Sequence, residues 1–134
     1  MSDSQKNNLA NNIKILKDKN IEVSLFIDPV KDEIKIAKNI GAQSIELHTG
    51  TYANSKDNQV NFEIDKLKIA SNYAHSLSLK VNAGHGLHYS NTCAICKIKY
   101  ISELNIGHSI IAESIFLGLS DAIKKMKGII NNCD

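Results

Sequence analysis

The chain has 134 residues, of which 43% are apolar and 22% charged; this mixture excludes a disordered tail or a fibrous repeat and suits a single globular unit. Sixteen basic residues, all Lys, face fourteen acidic ones for a net charge of +2, too balanced for a nucleic-acid binder, and the absence of Arg removes guanidinium forks from any anion site. No apolar run reaches the roughly 18–20 residues that span a bilayer, and the polar start and three cysteines fit a cytoplasmic protein without a disulfide framework.

Along the chain, Leu9, Ile13 and Leu16 share a face of a leading helix, with cap candidates at Ser2 to Ser4. Glu22 to Ile27 reads as a buried strand stopped by Asp28-Pro29, where Asp28 is placed to cap the next helix and Pro29 to fit its first turn. Val30, Ile34 and Ala37 form that helix's apolar stripe, and Gly41 stands at its C-cap. Ser44 to His48 is a second strand, Asn54 to Asn58 a polar loop, and Leu67, Ala70, Ala74 and Leu77 mark a long helix. Lys80 to Ala83 is the third strand. A short helical segment spans Thr92 to Lys97, and Glu103 to Ile106 is the fourth strand. A helix bearing Ile111, Ile115 and Leu119 follows, then a last amphipathic stretch with Ile123, Met126 and Ile130. Cys133 falls in a polar tail expected to be unstructured.

Strands alternating with helices four times predict an α/β fold with parallel strands. A complete (βα)₈ barrel needs typically ~250 residues, about twice this length. The expected domain is therefore one half-barrel over 1–134: a leading helix in 1–20, four βα units in 21–131, and a tail in 132–134. The polar residues support the half-barrel. Each strand ends in chemically useful groups: Asp28; Glu46, His48 and Thr49; Asn82, Gly84, His85 and Gly86; Asn105, Gly107 and His108. That rim is where α/β proteins assemble active sites.

Gly107-His108-Ser109, opening a helix, is a phosphate-site candidate, because helix-start N–H groups attract anions without Arg. An ordinary glycine turn with Ser109 as the cap fits the same spacing equally well. Glycines on both sides of His85 leave its imidazole open to a ligand and able to move a proton near neutral pH; His88 reads as peripheral. Glu46 and His48, two apart on a strand, point to one face, the barrel interior, while Ile45 and Leu47 face the helices. A carboxylate there needs a partner, either developing charge in a transition state or a salt bridge to a lysine. His85, His88, Cys93 and Cys96 also offer four zinc-type ligands. The short gap between the pairs departs from familiar zinc spacings, and a small zinc-binding protein stands as an alternative.

Val23 to Asp28, Ile45 to Gly50 with Tyr52-Ala53, Val81 to Leu87 with Tyr89, and Glu103 to Ile111 together resemble the pyridoxine 5′-phosphate synthase family, in order and spacing, from about Asn12 to Gly128. The likeness covers only the carboxyl-terminal half of a family member. It implies a (βα)₈-barrel transferase of vitamin B6 biosynthesis. Such an enzyme condenses 3-amino-2-oxopropyl phosphate with 1-deoxy-D-xylulose 5-phosphate, giving pyridoxine 5′-phosphate and phosphate. On matching positions it implies His85 as proton donor, Glu46 as transition-state stabiliser, and Gly86, Gly107 and His108 as ligands of the aminooxopropyl phosphate. No metal or organic cofactor is implied. The family's amino-terminal histidines, glutamate and arginine have no counterpart here, so the isolated chain is expected to be inactive, or else a non-catalytic phosphate-binding half-barrel. Glu113 stands where related sequences can carry Arg. The unpaired edges of a half-barrel predict a homo-oligomer.

Overall fold

The computed structural model describes residues 2–133. Its elements run α1 (Asp3–Lys17), β1 (Ser24–Ile27), α2 (Lys31–Asn39), β2 (Ser44–His48), α3 (Gly50–Asn54), α4 (Asn58–Ser76), β3 (Lys80–Gly84), α5 (Thr92–Cys96), β4 (Ile101–Asn105), α6 (His108–Leu117) and α7 (Leu119–Asn131). The four strands form one sheet in the order β1-β2-β3-β4, every pair parallel. Parallel neighbours need a crossover, and each crossover here carries a helix. The result is half of a (βα)₈ barrel.

Strand register divides the side chains. Phe26 pairs with Glu46, and Glu46 with Asn82; Ile45 pairs with Val81, and Leu47 with Ala83. The second set points to the helices, where Ile45, Leu47, Val81 and Ala83 are buried against Ile34, Ala37, Leu67, Ala70 and Ala74 of α2 and α4. The first set lines the concave face. Burial of the helix-side residues, at roughly 25 cal/mol per Å² of apolar area, drives assembly of the layer; the concave face contributes chemistry instead.

Local signals account for most boundaries. Ser2 caps α1 through a reciprocal capping box with Gln5, and Gly41, at φ +96°, ends α2's last turn as expected. Asp28 does not cap α2: its N-cap is Val30, without a side-chain bond, and Pro29 lies ahead of the helix. Asp28 is instead committed to His48, and Glu33 accepts a hydrogen bond from the Asp28 N–H. The loop expected at Asn54 begins later, because residues 50–54 form the short helix α3.

Two expectations about apolar residues change. β1 is the outer strand, and its Phe26 remains 54% exposed on the concave face, not buried on both sides. Helix α6 has no buried residue: Ile111, Ile115 and Phe116 are 60%, 79% and 84% exposed. It leans on α7, while these three side chains stay largely open to solvent. In the leading helix only Ile13 is buried, and Leu16 is exposed. Among the described residues no helix is long and apolar enough to cross a membrane.

Candidate active site

The carboxyl ends of β1, β2, β3 and β4 meet at one rim. Glu46 is half-buried on the concave face, and its Oε2 accepts a hydrogen bond from Asn105 Nδ2 at 2.5 Å. No lysine takes that place; the lysine–carboxylate pair on this side of the sheet joins Lys80 to Glu103 at 2.6 Å. That hydrogen-bonded pair raises the Lys80 pKa. Glu46 is thus oriented by a neutral amide, with no ion pair to a lysine among the described residues. A Cβ on Gly84 would fall on the Glu46 carboxylate, so only glycine lets β3 approach the acid this closely.

Beside it stands a pair of imidazoles. The rings of His48 and His85 lie 4.8 Å apart between centroids, and Phe26 meets His48 edge-on at 5.0 Å. His48 Nδ1 is 3.2 Å from Asp28 Oδ1. A carboxylate only accepts, so Nδ1 carries the hydrogen of this contact and Nε2 faces the rest of the site. Gly50 sits against both rings: a Cβ there would lie 2.7 Å from His48 Nε2 and 2.9 Å from His85 Cδ2.

His85 itself has φ +85° and is exposed. A left-handed backbone at a non-glycine residue costs of order 1–3 kcal/mol and needs external support. Thr49, fully buried, supplies it, its hydroxyl lying 2.7 Å from the carbonyl oxygens of both Gly84 and His85. The turn continues through Gly86 at φ +75°, lifting the His85 ring off the sheet.

The fourth strand delivers the last component. Gly107 is the N-cap of α6 and offers no side-chain bond to the helix's first N–H groups. Ser109 does not take that role: its hydroxyl donates to Leu87 O at 2.9 Å, tying α6 to the His85 turn. The two connections enclose a cavity of ≈ 270 Å³ lined by His85, Gly86, Leu87, Asn105, Ile106, Gly107 and His108. Uncapped N–H groups at the start of a ten-residue helix, with no acidic residue in its first turn, suit a phosphate or carboxylate. Glu113 pairs with Lys125 of α7 at 2.5 Å and is not part of the cavity lining.

His85, Gly86, Gly107 and His108 therefore share one cavity, and Glu46 is joined to its wall through Asn105. The zinc alternative does not assemble. His88 is engaged with Ser90, Cys93 and Cys96 sit on α5 beside Cys133, and no cluster of metal-ligating side chains occurs among the described residues. Cys133 is not a loose tail residue: it is half-buried and its thiol donates to Ile129 O at 2.8 Å. The sequence places Asp28 and Thr49 on the strand-end rim without a role for either, and Gly50 only within the Ile45 to Gly50 motif; the contacts add the roles. Their common signal is position at the end of β1 or β2, but only the three-dimensional contacts separate support from coincidence.

Comparison with known proteins decides the affiliation. The family model of the pyridoxal phosphate biosynthesis protein PdxJ matches residues 2–132. This chain belongs to the PdxJ family. Among its PdxJ relatives, the pyridoxine 5′-phosphate synthase of Sulfurihydrogenibium sp. (strain YO3AOP1) is 54% identical over 120 residues, covering 90% of this chain and 49% of that protein. The synthase of Idiomarina loihiensis is 49% identical, over 87% of this chain and 48% of its own length. That of Prochlorococcus marinus (strain MIT 9211) is 43% identical, over 96% and 53%. The chain spans about half the length of the curated PdxJ relatives it matches.

Proposed function

We propose that this chain supplies the carboxyl-terminal half of a pyridoxine 5′-phosphate synthase, a transferase acting in the cytoplasm. In this reading 3-amino-2-oxopropyl phosphate sets its phosphate on the N–H groups of Gly86, Gly107 and His108, with the His108 ring beside it. His85 donates a proton during the dehydrations that follow condensation with 1-deoxy-D-xylulose 5-phosphate, and Glu46 stabilises the cationic character that develops on the amine side. Amine–ketone condensation, loss of water and ring closure are proton-transfer chemistry, which a held phosphate, an imidazole and a carboxylate serve without a redox centre. The observation that carries the proposal is the single cavity shared by His85, Gly86, Gly107 and His108.

The 1–134 unit is one half-barrel domain in this proposal, and it is inactive alone because the acid–base groups of four further βα units are needed. Product formation tests this. The chain with both substrates is expected to yield no pyridoxine 5′-phosphate, and an equimolar mixture with the separately made amino-terminal half of a relative is expected to yield it. Turnover by the chain alone at the rate of a full-length relative would overturn the proposal. The open edges of β1 and β4 and the bare apolar side of α6 favour a homo-oligomer when no other half is present. A half-barrel that only binds phosphate is the second reading, favoured by the same half-length coverage; it is the outcome if the mixture binds phosphate but makes no product.

A further inference from the structure

Three thiols meet at a place the proposed reaction does not use. Cys93 and Cys96 are three residues apart on α5 and so share a face, and both are half-buried. Helix α7 packs against α5. The chain then brings Cys133 back beside α5: its thiol interacts with both Cys93 and Cys96, its Sγ donates to Ile129 O, and Cys96 lines one surface pocket with Ile130 of α7. Burial and the neighbouring thiols push Cys133 up to about 12, and burial raises Cys96, so these two are held as protonated thiols at neutral pH. All three cysteines are free thiols in the structure, and the one that attacks an oxidant does so through its thiolate fraction.

We propose that Cys133 and one α5 thiol, Cys93 or Cys96, form a reversible disulfide that fastens α7 to α5. The oxidant is a hydroperoxide. With hydrogen peroxide, one sulfur attacks the O–O bond to give a sulfenic acid and water; the second sulfur then displaces the hydroxyl as another water. Two thiols lose two hydrogens and two electrons, and the peroxide is reduced to two waters. A small dithiol reverses the step by exchange. The bridge joins two segments that flank the cavity: α5 follows the His85 turn, and α7 follows α6. Two neutral links already connect the neighbouring chain, Ser109 of α6 to Leu87 O in the His85 turn and Tyr89 ahead of α5 to Ala122 O of α7, and the disulfide adds a covalent third. Its existence is independent of the proposed synthase activity.

Peptide mapping of the purified chain treated with hydrogen peroxide tests this. Cleavage after lysine places Cys93 and Cys96 in peptide 81–97 and Cys133 in peptide 128–134. The expected product is the two peptides joined with loss of two hydrogens. It appears together with a rise in Tm of roughly 10 °C that dithiothreitol removes. Cys133→Ser is expected to abolish both effects while leaving the melting of the reduced chain unchanged. Cys93→Ser and Cys96→Ser identify the partner, since only one of them removes the joined peptide. A bridge confined to Cys93 and Cys96, bridges only between chains, or sulfinic acids with no joined peptide would each overturn the proposal.

Discussion

Gly50 shows how much of the site depends on a missing side chain. Its Cα supports the His48 and His85 rings at once, and a methyl group there would overlap both. Gly50→Ala is therefore expected to push the imidazoles apart and to destabilise the chain by about 1–3 kcal/mol, as overpacking does, read as a fall in the urea midpoint. Unchanged stability and unchanged histidine ring resonances would contradict this placement. Asn105 makes the complementary case. It is exposed, so Asn105→Ala is expected to cost little stability, within about 0.5 kcal/mol. It frees the Glu46 carboxylate from the amide that holds it at 2.5 Å. In the reconstituted two-half enzyme the expected loss is about 10- to 100-fold in kcat, because orientation and not folding is removed. Motif spacing made Glu46, His85 and the glycine turns legible. Asp28 was not legible as a partner of His48, because a strand-end Asp before Pro is also a good helix cap, and only the fold decides which of the two acceptor roles wins.

At the scale of elements, alternation of short apolar runs with helical periodicity was enough to place all four strands and their parallel order. Errors came where one local pattern serves two environments. Residues 50–54 carry no helical periodicity, since five residues are too few to show one, so α3 was unreadable. Ile111 and Ile115 have the spacing of a buried face, yet α6 buries none of its residues. Apolar spacing states that a face is to be covered, not which chain covers it. If a second copy covers α6, the double substitution Ile115→Lys, Phe116→Lys is expected to shift sedimentation toward monomer with helix content unchanged. Both residues lie outside the cavity lining, so phosphate binding is expected to survive. Loss of the fold on this substitution would mean that α6 is covered within the chain.

The whole molecule is a four-stranded parallel layer with helices on one side and chemistry on the other. A complete barrel closes such a layer on itself, buries the concave face and removes both edges. Here the helix-side core is closed and the concave side is open, which matches the coverage of about half of each relative's length. Length and composition alone suit one complete small domain; the strand-end groups gathered on an open concave face support the proposed half-barrel reading. The proposed anion site is the part this chain is expected to retain unaided, because its proposed donors are backbone N–H groups from two segments already tied together by Ser109. Titration of the ¹⁵N-labelled chain with inorganic phosphate measures it directly. Saturable shifts confined to the amides of Gly86, Gly107, His108 and Ser109 are expected, with the His108 ring moving in parallel. Shifts spread evenly over the lysine-rich surface, or none at the start of α6, would contradict the account.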